Sequence, residues 1–569
     1  MKLLSANNFL NRNGISGFNK YESAILSSNN LNSDNISEIL PDSDGFPLDF
    51  NDYKDSYEHL FLEDDFCEFI ENNKDKKFIN IGDYDCDGIC SSVILLRTFK
   101  LLGLNIDVYS PDRFINGYGL SKVLVDKAIE NKADVIITSD NGIVAYDAID
   151  YAKQNNIKVI VTDHHMPKDG KNNADIIIDP IYNKQEFTGI SGATVILKLC
   201  LKLLENHNIS ENFEDLCSLA AITVLSDVMP VIKENRILLK SFFDYANKEA
   251  YKSGSFINKL ANMCGFYVPG RKNDSLECVQ GSFRDFNVDN INFYLSPIIN
   301  SVNRVNGNVN GIVKDILGLF DENYTVGNYY SNLNRTRKQM KDDIIDLYEN
   351  SFKKETNNPV ITVIIPDDKD INYSGINGLV ASYIVESQEV PALVAIDDEK
   401  SDVYKFSGRS VEGFNLFAAF TEIKENNPDL KFNFGGHAIA MGLSCEKDYY
   451  TIKRLEEELG AIYAREKNKL PEKSYLIMDN PFEYEKAYMN FYPYGNSFEF
   501  PRFYYKGDVK KMDTKNRLLY FWSLHEYPVR VFDFKELLKL NKQQKNIEMI
   551  LSFYLDETGK IMLKLNKAL

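Results

Sequence analysis

The sequence is short of positive charge. Its 569 residues carry 65 Lys and Arg against 83 Asp and Glu, a net charge of −18. That argues against a uniformly basic protein that coats nucleic acid, because phosphate binding needs local positive charge. It leaves a nucleic-acid enzyme open, since carboxylates are what a Mg²⁺ or Mn²⁺ site is made of. No run of about 18 apolar residues occurs, so no membrane span is expected. Residues 1–13 have no long apolar stretch behind a basic start, so no secretory signal is expected. The eight cysteines include no CxxC, and the closest pair is Cys86 and Cys90. Free thiols in a reducing cytoplasm are the expected state. Histidine is scarce, at six residues, and no internal repeat stands out. What remains is an ordinary globular composition, 44% hydrophobic and 26% charged, in a chain long enough for about three to five domains.

Residues 1–70 are acidic, with 13 Asp or Glu against 4 Lys or Arg, and show no chemistry of their own. From about 75 to 180, short β-branched runs alternate with helical spacing. Residues 78–81, 106–109, 134–138, 158–162 and 175–178 read as strands, and 91–102, 121–131 and 144–155 as helices. This alternation means βαβ units and a parallel sheet, with ligands beyond the carboxyl ends of the strands. A mostly helical stretch follows to about 260. A charged helix is expected over 325–354, with Leu333, Met340, Ile344, Leu347 and Tyr348 on one apolar stripe, as a spacer between lobes. A second alternating region begins at Pro359, with strands 360–365 and 392–396, a helix 378–386, and Gly-containing loops at 407–413 and 434–437. The last hundred residues are aromatic and strand-like, and a small β-barrel is expected there.

The sharpest feature is Asp83-Tyr84-Asp85-Cys86-Asp87, directly after an apolar strand. In an extended chain, residues at i, i+2 and i+4 point to one side. Clustered anions repel unless a cation binds or a carboxylate takes up a proton. A later strand ends in Ser139-Asp140-Asn141-Gly142 and the next in Thr162-Asp163-His164-His165. Carboxylates with imidazole at neighbouring strand ends suit a divalent metal such as Mn²⁺. Asp227 follows an apolar run and alone is an ordinary helix-end Asp.

These three segments, with Leu225-Ser226-Asp227-Val228-Met229-Pro230, resemble the four phosphoesterase motifs of the DHH family. PDRFINGYGLS (111–121), SGA (191–193), NRTR (334–337), SGRS (407–410), GGHA (435–438) and YPYGN (492–496) resemble its RecJ single-strand exonucleases more narrowly. The likeness implies a two-metal hydrolase acting 5′→3′ on single-stranded DNA, in repair or recombination, with Mn²⁺ or Mg²⁺. Asp85 and Asp140 would hold one ion. Asp87, Asp140, His164 and Asp227 would hold the other, with Asp140 bridging. Asp83, Asp163 and His165 are the implied catalytic residues, the first two supporting the ligands and His165 contacting the scissile phosphate. Two cations about 3.5–4 Å apart activate a water and neutralise both oxygens of an in-line displacement.

The second lobe resembles the family's substrate-binding DHHA1 domain. Arg409, a planar fork for a phosphate, with Ser407, His437, Arg113 and Arg304, is expected to grip the 5′ end and backbone of a strand. The stretch from 502 onward supplies positive charge, 14 Lys or Arg against 8 Asp or Glu. Lys510 and Lys511 are its expected phosphate contacts, whereas most of its aromatics, among Phe503, Tyr504, Tyr505, Tyr520, Phe521 and Trp522, are expected in the core. Two departures from the family stand out: Ile298 replaces an Arg and Asn303 a Gly in the stretch 296–304, and Asn372-Tyr373 replaces a Trp-His.

The expected architecture is α/β. It comprises an acidic segment (1–70), a parallel-sheet DHH domain (71–310), a connecting helix (311–358), a DHHA1 domain (359–465) and an OB-like β-barrel (466–569). The expected partner of a cytoplasmic monomer is single-stranded DNA, with a helicase or single-strand-binding protein as further candidates and no membrane. Two other readings stay open: a DHH phosphodiesterase for short oligonucleotides or cyclic dinucleotides, and a catalytically silent replication scaffold.

Overall fold

The computed structural model describes residues 2–6, 18–31, 36–39, 49–112, 119–266, 283–305, 308–352, 359–366, 373–397, 401–436, 438–469, 474–521, 524, 527–532, 537, 538, 540 and 545–569. It divides into two compact units. One comprises Met1–Asn300, Asn308–Ser331 and Lys473–Leu569, the other Ser301–Gly307 and Asn332–Glu472.

The first unit contains two sheets. Strand β1 (Lys2–Leu4) belongs to the second of them. Strands β2 (Lys77–Gly82), β3 (Asn105–Tyr109), β4 (Val135–Ser139), β5 (Lys158–Thr162) and β6 (Ile176–Ile178) form the first. Its order is β3-β2-β4-β5-β6 and every pairing is parallel. The β-branched runs of the three central strands, β2, β4 and β5, are buried on both faces, as a parallel sheet requires. Leu124, Val125 and Ala128 of helix Lys122–Glu130, with Ile149 and Ala152 of helix Tyr146–Gln154, pack on Ile79, Ile81, Ile136, Val159 and Val161. The chain leaves β2 towards β3 on one side and returns to β4 on the other. That reversal opens a crevice beyond the carboxyl ends of β2 and β4.

Helix Cys86–Leu101 starts earlier than the expected residue 91. Asp85 caps it, its Oδ1 accepting the N–H groups of Asp87 (3.0 Å) and Gly88 (3.2 Å). The early start carries the chain out of extension inside the acidic cluster. Gly88 is required by close approach, because a Cβ there would lie 2.5 Å from the Asp83 carbonyl oxygen.

The second sheet contains β1 with β12 (Ser474–Ile477), β13 (Phe503–Gly507), β14 (Val509–Asp513), β15 (Leu518–Phe521), β16 (Val529–Arg530), β17 (Ile547–Leu555) and β18 (Ile561–Ala568), in the order β1-β12-β13-β17-β18-β16-β15-β14. Its pairings are mixed, and no pairing joins its end strands β1 and β14 among the described residues, so closure of the expected β-barrel is not shown. The acidic leading segment is divided: β1 and helix Lys20–Ser28 build onto this sheet's core, while helices Phe50–Ser56 and Glu63–Asn72 pack on the helical part that follows the parallel sheet. Phe503, Tyr505 and Phe521 are buried, Tyr504 and Tyr520 half-buried, and Trp522 lies outside the described residues.

The second unit is built on a five-stranded sheet ordered β10-β11-β9-β8-β7. Its strands are β7 (Ile361–Pro366), β8 (Ala392–Asp397), β9 (Val403–Arg409), β10 (Phe432–Gly436) and β11 (Ala440–Glu446). Helices Leu416–Asn426 and Tyr449–Lys467 cover one face, and helix Asn377–Gln388 the other. The charged helix Tyr329–Leu347 is more than a spacer. Its Met340 and Ile344, with Tyr348 beyond it, enter this unit's core, whereas Leu347 is exposed. The structure also groups helix Ser301–Val305, and so Arg304, with this unit.

Within the first unit, Arg236 ties the helical part to the second sheet. Its guanidinium is buried and donates to the carbonyl oxygens of Ile39, Phe491 and Pro493. Burial pulls its pKa down to about 10. Replacing it with Leu strands those carbonyls, at about 1–3 kcal/mol each. We expect Arg236→Leu to lower stability by about 3 kcal/mol or more, read by urea denaturation. An unchanged midpoint contradicts this role.

Candidate metal centre

The sheet ladder continues past the strand ends and sets the acidic residues side by side. The Asp83 N–H donates to Ser139 O (3.1 Å), the Asp140 N–H to Thr162 O (3.1 Å), and the Asp163 N–H to Ile178 O (3.0 Å). Neighbouring strands therefore deliver Asp83, Asp140 and the Asp163-His164-His165 triplet to one edge. The side chains of the first segment converge differently from the extended-chain expectation. Asp83 leaves the strand end, Asp85 is the helix cap, and Asp87 lies in the first helical turn. Asp227 arrives as the residue ending helix Phe213–Ser226.

His164 is the meeting point. Its Nε2 lies 3.1 Å from Asp140 Oδ1, 3.4 Å from Asp227 Oδ2 and 3.6 Å from Asp87 Oδ2. Asp83, Asp85 and Asp140 form a second group, and Asp140, His164 and His165 a third. In each group the possible ligand atoms lie within 4.8 Å of one another. Asp83 is thus grouped with two carboxylates that a cation could meet. Asp163 is turned towards protein. Its Oδ1 accepts from the N–H groups of His164 (2.8 Å) and His165 (3.2 Å) and lies 2.8 Å from His165 Nδ1, while Oδ2 accepts the Ile143 N–H at 2.9 Å.

Several residues that carried no individual role in the sequence hold this edge together. The N–H groups of Gly192 (2.7 Å) and Ala193 (2.9 Å), at the start of helix Gly192–Asn206, donate to the two oxygens of Asp87. A helix N-terminus favours an anion there. Residue 192 must be glycine, because a Cβ would stand 2.6 Å from Asp140 Cβ. Asp140 itself has a φ of 63°, in the left-handed region. The Asn141 side chain donates to Ile81 O and Ser139 O, both at 2.9 Å, and accepts the Leu120 N–H at 3.0 Å. Asn300 Oδ1 accepts the Cys86 N–H at 2.9 Å. The Ser-Gly-Ala start of a helix was a legible signal for the first of these, and the family-like stretch 296–304 contains the last.

Electrostatics follow from crowding. Burial first, then the Asp85 charge, pushes Asp87 up to about 6, against the Ala193 and Gly192 donors. Burial and neighbouring carboxylates likewise raise Asp83, Asp140 and Asp227 well above the ordinary range. At His165 burial pulls the pKa down, but the hydrogen bond and charge of Asp163 outweigh it and lift it to about 10. Burial raises Asp163 in turn, and His165 more than compensates, leaving it lowered. Hard oxygen donors with one or two imidazoles, repelling one another, are a donor set fitted to divalent cations. Asp83 Oδ1 is buried with no hydrogen-bond partner among the described residues, as suits an oxygen kept for a ligand.

Of the other expected contacts, Arg304, Ser407 and Arg409 lie in the second unit, apart from this cluster's unit. Ser407 and Arg409 are on β9, and Arg409 Nη1 donates to Gly408 O at 2.8 Å. The bare α-carbon of Gly378 leaves space for that guanidinium, since a Cβ there would stand 2.6 Å from Nη2. Lys510 and Lys511 are exposed on the end strand β14 of the second sheet. Arg113 and His437 lie outside the described residues.

Residues 77–222 match the sequence profile of the DHH family, N-terminal domain. The chain is similar to the single-stranded-DNA-specific exonucleases RecJ. It is 28% identical to that of Haemophilus influenzae over 391 residues, 66% of this chain and 64% of that protein. It is 30% identical to that of Escherichia coli over 390 residues, 66% of this chain and 64% of that protein. The match therefore spans a little less than two thirds of these relatives' length. The crystal structure of RecJ in complex with Mn²⁺ from Thermus thermophilus shares the fold, with a TM-score of 0.70 over 100% of this chain and 79% of that one at 19% identity.

The raised carboxyls give a sign for pH. A carboxyl whose pKa is higher in the fold than in the unfolded chain stabilises the fold fully only below its ordinary value, near 3.8, and that support fades as pH rises through the folded value, about 6 for Asp87. In EDTA, Asp140→Asn is expected to melt roughly 1–3 °C above wild type at about pH 8. The gap should shrink towards about pH 4 and reverse when Mn²⁺ is added. Equal melting of both proteins across that range contradicts the electrostatic reading.

Proposed function

We propose that the chain is a metal-dependent 5′→3′ exonuclease that hydrolyses the phosphodiester bonds of single-stranded DNA with two divalent ions. The observation that carries this reading is the gathering of Asp83, Asp85, Asp87, Asp140, His164 and Asp227 on one sheet edge, in a chain similar to proteins named for that activity. Asp85 and Asp140, joined by Asp83, would hold one ion; Asp87, Asp140, His164 and Asp227 the other. Two Mn²⁺ or Mg²⁺ ions bound there supply Lewis-acid activation of a water and neutralise charge on the attacking and leaving oxygens.

The chain's own residues do the rest. Asp163 orients the backbone of the two histidines and the ring of His165. His165 holds its proton at neutral pH, its pKa lying near 10, and supplies positive charge to the scissile phosphate. Residues 71–310 carry the hydrolytic centre and 359–465 the DHHA1-type binding function, linked through 311–358. Arg304, Ser407 and Arg409, with Arg113 and His437, grip the 5′ end and backbone. Residues 466–569, with Lys510 and Lys511, follow the strand. The working form is a cytoplasmic monomer acting on single-stranded DNA delivered by a helicase or a single-strand-binding protein. Among the described residues no helix is long and apolar enough to cross a membrane.

The test is turnover with Mn²⁺ on 5′-labelled single-stranded DNA, duplex DNA, RNA and a cyclic dinucleotide. Mononucleotide release from single-stranded DNA alone is expected. Cleavage of only the cyclic dinucleotide, or strand binding without any turnover, overturns the reading. Asp140→Ala should reduce release to background with the fold retained. Changing Lys510 and Lys511 together to Ala should weaken strand binding and flatten the log–log salt slope by roughly 1–2; an unchanged slope removes β14 from the binding surface.

A further inference from the structure

Asp227 reaches the metal centre from a helix end with an unusual backbone. Helix Phe213–Ser226 closes with the Met229 N–H donating to Val224 O at 2.8 Å and the Val228 N–H to Leu225 O at 3.3 Å. This closure places the residue after Asp227 in the left-handed region, and Val228 has a φ of 57°. Glycine usually fills that position, because a β-branched side chain is strained there. Something must therefore hold Val228 where it is.

The turn Tyr494-Gly495-Asn496-Ser497-Phe498, far along the chain but in the same unit, supplies the hold. Asn496 Nδ2 donates to Val228 O at 2.7 Å, and the Val231 N–H donates to Asn496 O at 2.7 Å. Residues Pro230 and Asn496 form a parallel bridge. Gly495 lies so close that a Cβ would stand 2.4 Å from Val231 Cγ2. The turn is itself rigid. The Gly495 N–H donates to Phe498 O at 2.8 Å, Tyr494 stacks on Phe498 with ring centres 4.7 Å apart, and Arg236 holds the preceding carbonyls of Phe491 and Pro493.

We propose that Asn496 is a positioning residue for Asp227: its side-chain amide holds Val228 in the left-handed conformation and thereby aims the Asp227 carboxylate at the cation shared with Asp87 and His164. The inference rests on the metal reading of that site and adds to it a dependence on the C-terminal sheet. Groups that support a metal ligand from behind typically change metal affinity by 10–100-fold.

The test is Mn²⁺ binding by calorimetry to the full chain, with the metal alone and no DNA. Asn496→Ala is expected to weaken Mn²⁺ binding about tenfold, with an unchanged melting temperature in EDTA. Because the bond acts by holding a strained backbone, Val228→Gly in the same chain should restore most of the affinity. Asn496→Asp, which cannot donate to Val228 O, should fail like Ala. Asp227→Ala serves as the reference for a lost ligand. If Asp227→Ala weakens Mn²⁺ binding and Asn496→Ala does not, the positioning role is overturned while the metal reading stands. If Asn496→Ala weakens binding but Val228→Gly does not restore it, the strained-backbone route is overturned. If the wild-type chain binds no Mn²⁺, the metal reading falls and this role with it. Mn²⁺ binding that depends on Asn496 in a chain that cuts no single-stranded DNA leaves the positioning role standing and overturns the exonuclease reading.

Discussion

Buried carboxylates repel, and the first unit is arranged around keeping them together. Asp83, Asp87 and Asp140 are buried side by side, with Asp227 behind His164, and their pKa values rise because the interior favours the neutral form. The opposing forces are those of the scaffold. Ladder hydrogen bonds run past the strand ends, two helix N–H groups clamp Asp87, and a glycine admits Asp140 against the helix that follows. Such an edge is costly without a cation and well prepared for one. It is the familiar exchange of stability for function, concentrated where βαβ topology opens a crevice.

Much of this was legible in the sequence because it rests on local signals. The β-branched runs, their helical spacing and the acidic strand ends are all nearest-neighbour patterns, and the strands β2 to β6 fall within a residue or so of their expected places. Much of the cluster's membership was legible for the same reason, as Asp83, Asp140 and the Asp163-His164-His165 triplet follow strand runs, whereas Asp227 entered through the family likeness. Its internal geometry was not. The extended Asp83-Asp85-Asp87 spacing gave way because Asp85 is a better helix cap than a strand residue, and no periodicity in the apolar residues reports where a cap interrupts a strand end.

What escaped the sequence is what depends on contacts between distant stretches. Nothing in residues 1–70 shows that β1 completes a sheet made almost wholly of residues beyond 473. Nor does a stripe of Met340, Ile344 and Tyr348 say that its helix joins a core rather than spanning a gap. The strand order of the C-terminal sheet is equally a matter of which strands meet, and alternating hydrophobicity fixes faces but not partners.

The first unit is written in the chain in separate pieces, with residues 332–472 of the second unit between them. Synthesis proceeds from the N-terminus, and domains fold as they emerge. Every acid and histidine of the metal centre therefore leaves the ribosome before the turn at 494–498 exists, and the whole second unit is made in the interval. During that time Arg236 has none of its C-terminal carbonyl partners and Val228 has no amide to hold it. The cluster is complete in composition well before it is complete in shape, and a turn 268 residues beyond Val228 is the one that closes it.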